Sequence, residues 1–249
     1  GVECEPYLTT DHRVILEHAG DVMSGISYLL TETGAERAII AVEANKQDAA
    51  DCLRESIPSG EPITVEVLPV KYPQGAEKML ITALLDREVP SRGLPLDVHA
   101  ICVNVGTAAE VGRLLPNGMG LQERVITVAG PGVTYPANLV VPLGPPVRDV
   151  VKFCGGLKPG SREIIMGGPM MGRPIASLDV PILTGCSGVL VFTENETARR
   201  KEYPCISCGR CLEACPYFLN PSRLARLARA RLFDEMKPLN VFDCVECGS

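Results

Sequence analysis

The run Cys205-Ile206-Ser207-Cys208-Gly209-Arg210-Cys211-Leu212-Glu213-Ala214-Cys215-Pro216 constrains the folding of its segment more than any other feature of the chain. Cysteines spaced C-x2-C-x2-C-x3-C-P supply thiolate ligands to a [4Fe-4S] cubane. Closely spaced thiolates wrap the cube corner by corner, Gly209 allows the tight turn, and Pro216 starts a helix that leads away from the cluster. Metal binding at such a site contributes folding free energy to the segment around it. The competing chemistry is a zinc ribbon, but that would show paired C-x2-C knuckles without a third cysteine at the same spacing. Electron transfer is therefore the first expectation.

A second half-motif, Cys244-Val-Glu-Cys247, lies at the other end of this segment. Where two clusters are bound, the fourth cysteine of each run ligates the other cluster. Cys205, Cys208 and Cys211 are then expected at one site, and Cys215, Cys244 and Cys247 at the other. Each set is one short of four, so the sequence reads as a piece of a longer protein, cut inside its second motif. The other cysteines, Cys4, Cys52, Cys102, Cys154 and Cys186, are scattered and suggest a reducing cytoplasm rather than a disulfide framework.

With 46% hydrophobic and 22% charged residues, the chain is expected to bury a full core divided among more than one module. No apolar run reaches the roughly 18 to 20 residues that cross a bilayer, and no signal peptide is recognisable, so membrane association is expected to be peripheral. A net charge of −6, no tryptophan and few other aromatics argue against a nucleic-acid partner.

Strand and helix signals alternate over residues 1–120. Arg37 to Glu43 is a short buried-strand run, Asn45 to Ser56 reads as a helix capped by Asn45 with Asp48 following, and Pro62 to Val70 alternates Ile63, Val65 and Val67 against Thr64 and Glu66. Gly75 to Leu85 reads as a further helix and Val98 to Val103 as a third strand. Alternation at this spacing predicts an α/β layered domain with a mainly parallel sheet. From Glu123 the pattern changes to short strands around a Gly-Pro-Gly turn, a helix over Pro146 to Phe153 closed by Gly155-Gly156, and Glu163 to Met166 leading into Gly167-Gly-Pro-Met-Met-Gly172. Residues 121–172 are expected to be a small β-rich module, whose Gly-Gly pairs read as a helix C-cap and a tight turn or as ligand loops. Residues 173–198, with the strand Gly188 to Phe192, read as a linker, and 199–249 as the cysteine domain.

The opening Gly1-Val-Glu-Cys-Glu-Pro-Tyr-Leu-Thr-Thr-Asp-His-Arg13 places two carboxylates, a proline and an Asp-His-Arg triplet in an expected loop after a strand end, where open α/β sheets bind ligands. Together with Tyr72-Pro-Gln-Gly-Ala-Glu-Lys78, Asn104-Val-Gly-Thr107 and the cysteine runs, it resembles the C subunit of the Rnf electron transport complex, an ion-translocating ferredoxin:NAD oxidoreductase, over essentially the whole chain. That family is similar in turn to the flavin-bearing, NADH-oxidising subunit of respiratory complex I. The resemblance implies a Rossmann-like α/β flavin and NADH domain, a β-grasp module for a soluble ligand, and an α-helical ferredoxin-like domain with two [4Fe-4S] clusters. It places Glu3 beside FMN, Glu5 toward the nicotinamide ribose, Gly75 and Glu77 along the isoalloxazine ring and nicotinamide, and Asn104 and Thr107 on the flavin phosphate or ring. A carboxylate accepts hydrogen bonds from ribose hydroxyls, and a helix start offers donors to an anion. Read without the resemblance, Asn104 is equally a plain helix cap.

Two departures stand out. The complex I pattern has consecutive acidic residues where this chain has Ala76-Glu77, and the family's glycine-rich loop, which cradles the FMN phosphate, has no match here and would precede Gly1. This chain alone is therefore expected to hold FMN weakly or not at all.

The implied path runs from NADH through FMN to the clusters and the membrane subunits of the Rnf assembly, on the cytoplasmic side of the membrane. It can also run in reverse from ferredoxin to NAD, and no residue acts as acid, base or nucleophile. After the first motif, Pro221 to Phe233 reads as a helix with a basic stripe at Arg223, Arg226 and Arg229 and an apolar face at Leu224, Leu227 and Leu232. The stripe is a solvated face or a landing site for ferredoxin or another acidic redox partner. Two rival functions are a cobalamin reductase of related architecture and a non-enzymatic ferredoxin-type wiring module with a vestigial nucleotide fold.

Overall fold

The computed structural model describes residues 1–248. The chain divides into two compact units, one made of Gly1–Tyr72 and Val103–Ala198, the other of Pro73–Cys102 with the segment from Arg199 onward. The first unit thus joins most of the expected α/β domain to the β-rich module, and the stretch 73–102 belongs with the cysteine segment.

The first unit opens with helix α1 (Thr10–Thr33), its longest helix and one absent from the strand and helix pattern inferred above. Asp11, His12 and Arg13 therefore lie in the first turn of a helix, not in a loop. The signal was present, since Val14, Ile15, Ala19, Val22, Met23 and Ile26 recur at helical spacing and are all buried. The backbone leaves helical geometry once, at His18 (φ −132°). Strands β1 (Ala38–Glu43) and β2 (Ile63–Leu68) pair in parallel, joined by helix α2 (Gln47–Ser56). The cap of α2 is Lys46 rather than Asn45, because Lys46 N–H closes a turn onto the Glu43 carbonyl at 2.9 Å. Ile15, Val22, Val42 and Leu53 are fully enclosed in this core. Each contributes about 1.5–3 kcal/mol by leaving water.

Helix α3 (Glu77–Leu85) belongs to the second unit, and helix α4 (Val105–Leu114) returns the chain to the first. The third strand expected over Val98–Val103 does not form. Pro95 fixes the start of a 3-10 turn at Pro95–Val98, and His99 ends it in left-handed conformation (φ 53°). Ile101 and Val103 are exposed and belong to no strand of either sheet. Helices α1 and α4 cross at closest approach through Gly25 and Gly112: a methyl at Gly25 would lie 1.8 Å from the Ala108 carbonyl oxygen.

The remainder of the first unit is a five-stranded sheet in the order β4-β3-β7-β5-β6, built from β3 (Glu123–Ala129), β4 (Ala137–Pro142), β5 (Ser161–Met166), β6 (Arg173–Pro174) and β7 (Gly188–Thr193), with helix α5 (Val147–Phe153) after β4. The expected linker is therefore no linker, because β7 sits mid-sheet, parallel to β3 and antiparallel to β5. Side chains alternate across it. Val189 and Val191 join Ile126, Val128 and the α5 valines on one face, while Leu190 and Phe192 meet Ala129 and Leu8 on the other. Gly155 and Gly156, both at positive φ, form the C-terminal turn of α5. A short helix α6 (Glu194–Thr197) follows β7.

The second unit continues with α7 (Arg210–Ala214), α8 (Pro221–Arg229) and α9 (Phe233–Met236). Helix α8 ends at Arg229, so Leu232 lies beyond it and is exposed, whereas Leu224 is buried. Among the described residues, no helix is long and apolar enough to cross a membrane.

Candidate functional site

The acidic loop lies where β1 ends and α1 and α4 begin, and a buried network ties these elements together. Glu3 Oε1 accepts from the Thr10 hydroxyl at 3.1 Å and from Asp11 N–H at 3.2 Å, while its Oε2 accepts from Lys46 Nζ at 3.3 Å. The same ammonium reaches Glu43 Oε2 at 3.0 Å. Asp11 Oδ2 in turn accepts from Asn104 Nδ2 at 2.8 Å. Two carboxylates thus share one lysine, and a third, that of Asp11, is tied into the same network through Asn104. Burial raises the Glu3 pKa above its ordinary value, the charge of Asp11 adds to this, and Lys46 with the two donated bonds opposes it. Sequence reasoning missed Lys46, Glu43 and the contribution of Thr10. Their signal was position, since all three stand at the carboxyl end of a parallel strand or at a helix start.

Asn104 caps α4: its Oδ1 accepts from Gly106 N–H at 2.9 Å and Thr107 N–H at 3.4 Å. Thr107 is exposed on the first turn of that helix. Glu5 turns elsewhere, its two oxygens accepting from Met171 N–H at 2.7 Å and Met170 N–H at 3.0 Å. Gly75 and Glu77 belong to the second unit, Gly75 in the turn before α3 and Glu77 exposed on its first turn. The network therefore unites Glu3 with Asp11 and Asn104, and leaves Glu5 bonded to a separate turn.

Beside the network, Thr10, Asp11, His18, Asn104, Arg113 and Arg124 line a cleft of about 80 Å³. That holds a few waters and is well below the roughly 300 Å³ at which small-molecule pockets begin. Arg113 is taken by Glu110 at 2.7 Å and Glu123 at 3.0 Å.

In the second unit, Cys205 and Cys208 are exposed and Cys211 half-buried, arranged around Gly209 at φ 80°. The Ser207 N–H at 3.4 Å and the Ser222 hydroxyl at 3.7 Å hold the Cys205 thiol below its ordinary pKa, which favours the thiolate a metal requires. Cys154 and Cys186 are buried, and burial pushes both thiols up, as befits inert core residues. Among the described residues, no three Cys, His, Asp or Glu side chains converge closely enough to hold an ion. The six motif cysteines are therefore not gathered into ligand sets here. Arg223, Arg226 and Arg229 are all exposed on α8, and Arg229 pairs with Glu202 at 3.0 Å.

Residues 1–113 match the Nuo51 FMN-binding domain model, and residues 125–174 match the SLBB domain model. The chain is 46% identical over 237 residues to the C subunit of the proton-translocating ferredoxin:NAD(+) oxidoreductase complex of Clostridium ljungdahlii, covering 95% of this chain and 52% of that protein. This chain belongs to the Rnf C-subunit family. The corresponding protein of the Na(+)-translocating complex of Acetobacterium woodii is 38% identical over 98% of the chain and 55% of its own length, and that of the ion-translocating oxidoreductase complex of Rhodobacter capsulatus is 38% identical over 90% and 43%. This Rnf homologue spans about half the length of these curated relatives. Its fold is also similar to a chain of an NAD+-reducing [NiFe]-hydrogenase crystallised in the H2-reduced state, with a TM-score of 0.62, 21% identity, and coverage of 77% of this chain and 39% of that one.

Proposed function

We propose that this chain passes electrons between NADH, FMN and [4Fe-4S] clusters as the peripheral, cytoplasmic-side C subunit of an ion-translocating ferredoxin:NAD oxidoreductase complex. The observation that carries the reading is the Glu3 network at the carboxyl end of β1, within a match to an FMN-binding domain, on a chain that also carries a complete C-x2-C-x2-C-x3-C-P run. In finer terms, the first part of the chain is read as a Rossmann-like flavin and NADH fold, residues 125–174 as a β-grasp module and the cysteine segment as ferredoxin-like.

The residues present suit these groups. The thiol of Cys205 is biased toward the thiolate by two donors, and Gly209 supplies a turn open to a cluster. Cys205, Cys208 and Cys211 are assigned to one cluster, and Cys215, Cys244 and Cys247 to the other. On the flavin side, Asn104 fixes the start of α4, whose first turn carries the exposed Thr107 hydroxyl. Lys46 and the α1 start hold Glu3 in one orientation. Glu5, Gly75 and Glu77 are assigned to the nucleotide side. FMN, when bound, supplies the conversion between a two-electron hydride donor and one-electron carriers. The membrane subunits of the Rnf assembly are the proposed partners, with an acidic redox protein such as ferredoxin at the α8 arginines.

The test is an anaerobic NADH titration of the full-length protein reconstituted with FMN, iron and sulfide. Bleaching of the flavin band followed by a reduced-cluster EPR signal is the expected result. Cluster reduction by a chemical donor without any response to NADH would leave only an electron-wiring module.

A further inference from the structure

Glu5 opens a stretch of five residues that docks along one face of the five-stranded sheet. Its carboxylate bonds to the backbone N–H groups of Met170 and Met171 in the turn after β5. Tyr7 packs edge-on against Phe192, ring centroids 5.4 Å apart and planes at 76°. Leu8 is buried with Ala129, Leu190 and Phe192. Thr9 N–H donates to Thr127 Oγ1 at 3.0 Å, and the Thr9 hydroxyl donates to Asn138 Oδ1 at 3.1 Å. Tyr7 stands at φ 70°, a conformation a bulky residue holds only where its surroundings impose it. The face is also cut to fit. A methyl at Gly188 would lie 2.5 Å from Leu8 Cδ2, and one at Gly168 would lie 2.2 Å from Glu5 Oε2.

We propose that the turn Gly168–Gly172 is a carboxylate-binding nest whose ligand is Glu5 of the same chain, which makes the sheet module the positioning element of the acidic loop. The functional half of this proposal rests on the reading of that loop as part of the nucleotide site. Two charge-assisted bonds from adjacent amides fix the carboxylate in place and orientation. An ionised carboxylate has about four acceptor positions, so the two not used by the turn remain for the hydroxyls of a bound ribose. Met170 and Met171 are then positioning residues acting through Glu5, with their backbone rather than their side chains.

Gly168→Ala is the decisive variant. Gly168 is not at positive φ, so alanine meets no backbone penalty there and acts through the displaced carboxylate. Gly185→Ala is the control, because a methyl there touches nothing. The first measurement needs neither cofactor nor nucleotide: amide hydrogen exchange at Met170 and Met171. Both amides should exchange at least about tenfold faster in Gly168→Ala and in Glu5→Gln than in the parent, while Gly185→Ala matches the parent. Equal exchange in all four proteins overturns the nest. The second measurement is NADH kinetics of the full-length, FMN-loaded protein, where Gly168→Ala should raise KM about tenfold, the loss of about one charge-assisted hydrogen bond, and change kcat less than about twofold. Faster amide exchange with unchanged KM overturns the positioning role while leaving the proposed oxidoreductase function standing. A parent protein that never responds to NADH, with its two amides still protected by Glu5, sinks that function and supports the nest.

Discussion

Replacing Lys46 by methionine keeps the aliphatic stem and removes the ammonium that Glu3 and Glu43 share, at 3.3 Å and 3.0 Å. The lysine side chain is 11% exposed and each carboxylate 6%, so the three groups have little water to fall back on. Removing one member of a buried ion pair costs about 3–5 kcal/mol, because the remaining charge stays desolvated. The lower end applies here, about 3 kcal/mol, since Glu3 retains its bonds from Thr10 and Asp11. At roughly 2–4 °C per kcal/mol for a chain of this size, the melting temperature near neutral pH should fall by about 6–12 °C. The pH dependence gives the sharper check. Burial and the charge of Asp11 already hold the Glu3 pKa up, and loss of Lys46 removes an opposing influence, so the pKa rises further. A carboxyl group whose folded pKa exceeds its unfolded value binds more protons in the folded state. Its stability contribution is complete below the unfolded value of about 4.3 and is lost as pH rises through the folded pKa. The Lys46→Met deficit should therefore shrink as pH falls from about 7.5 to about 5, and Glu3→Gln in the same background should recover part of it at the higher pH. Thermal melts followed by circular dichroism at both pH values are sufficient. A melting temperature within about 2 °C of the parent at neutral pH, or a deficit that grows on acidification, would refute the reasoning.

The helix crossing can be tested with two alanines. Gly25→Ala forces α1 away from the Ala108 carbonyl and should cost about 1–3 kcal/mol, whereas Gly20→Ala on the same helix meets nothing and should stabilise by about 0.5–1 kcal/mol, both read by urea denaturation. Cys208→Ser should lower the iron and acid-labile sulfide content after anaerobic reconstitution, while Cys186→Ala should leave both unchanged and lower only the melting temperature; equal iron loss in the two would separate the motif from the metal. Reversing Arg223, Arg226 and Arg229 to Glu should slow electron exchange with an acidic redox protein and flatten its salt dependence, as seen by stopped flow at several ionic strengths; an unchanged salt slope would mark the stripe as a solvated face.

Short-range signals in this sequence were legible and long-range ones were not. The alternation of Ile63, Val65 and Val67 against Thr64 and Glu66 does mark β2, and Gly155-Gly156 does close α5. Val98–Val103 has the β-branched content of a strand, yet a strand needs a neighbour, and Pro95 commits the chain to a 3-10 turn instead. The run Gly188–Phe192 is a strand as its composition implies, but its position between β3 and β5 depends on pairings that no local pattern encodes. At the site, Glu3 and Asn104 could be singled out from their motifs. Lys46 could not, because a lysine after a strand is ordinarily solvated. Its burial follows from the convergence of Glu3 and Glu43, which are far apart in sequence.

The place of β7 also sets an order of events in time. Thr127 pairs with Gly188 and Ala129 with Leu190, so β3 must wait for nearly all the intervening chain before the middle of the sheet can close. During synthesis, the five residues from Glu5 to Thr9 emerge before the surface they dock on, which includes Leu190 and Phe192. The acidic loop is thus made well before the surface that fixes it in place. A segment cut to the 125–174 match would lack β7, exposing bare edges on β3 and β5 with no face to receive Leu8. Formation of the Tyr7–Phe192 contact therefore marks completion of the sheet rather than the folding of the loop itself.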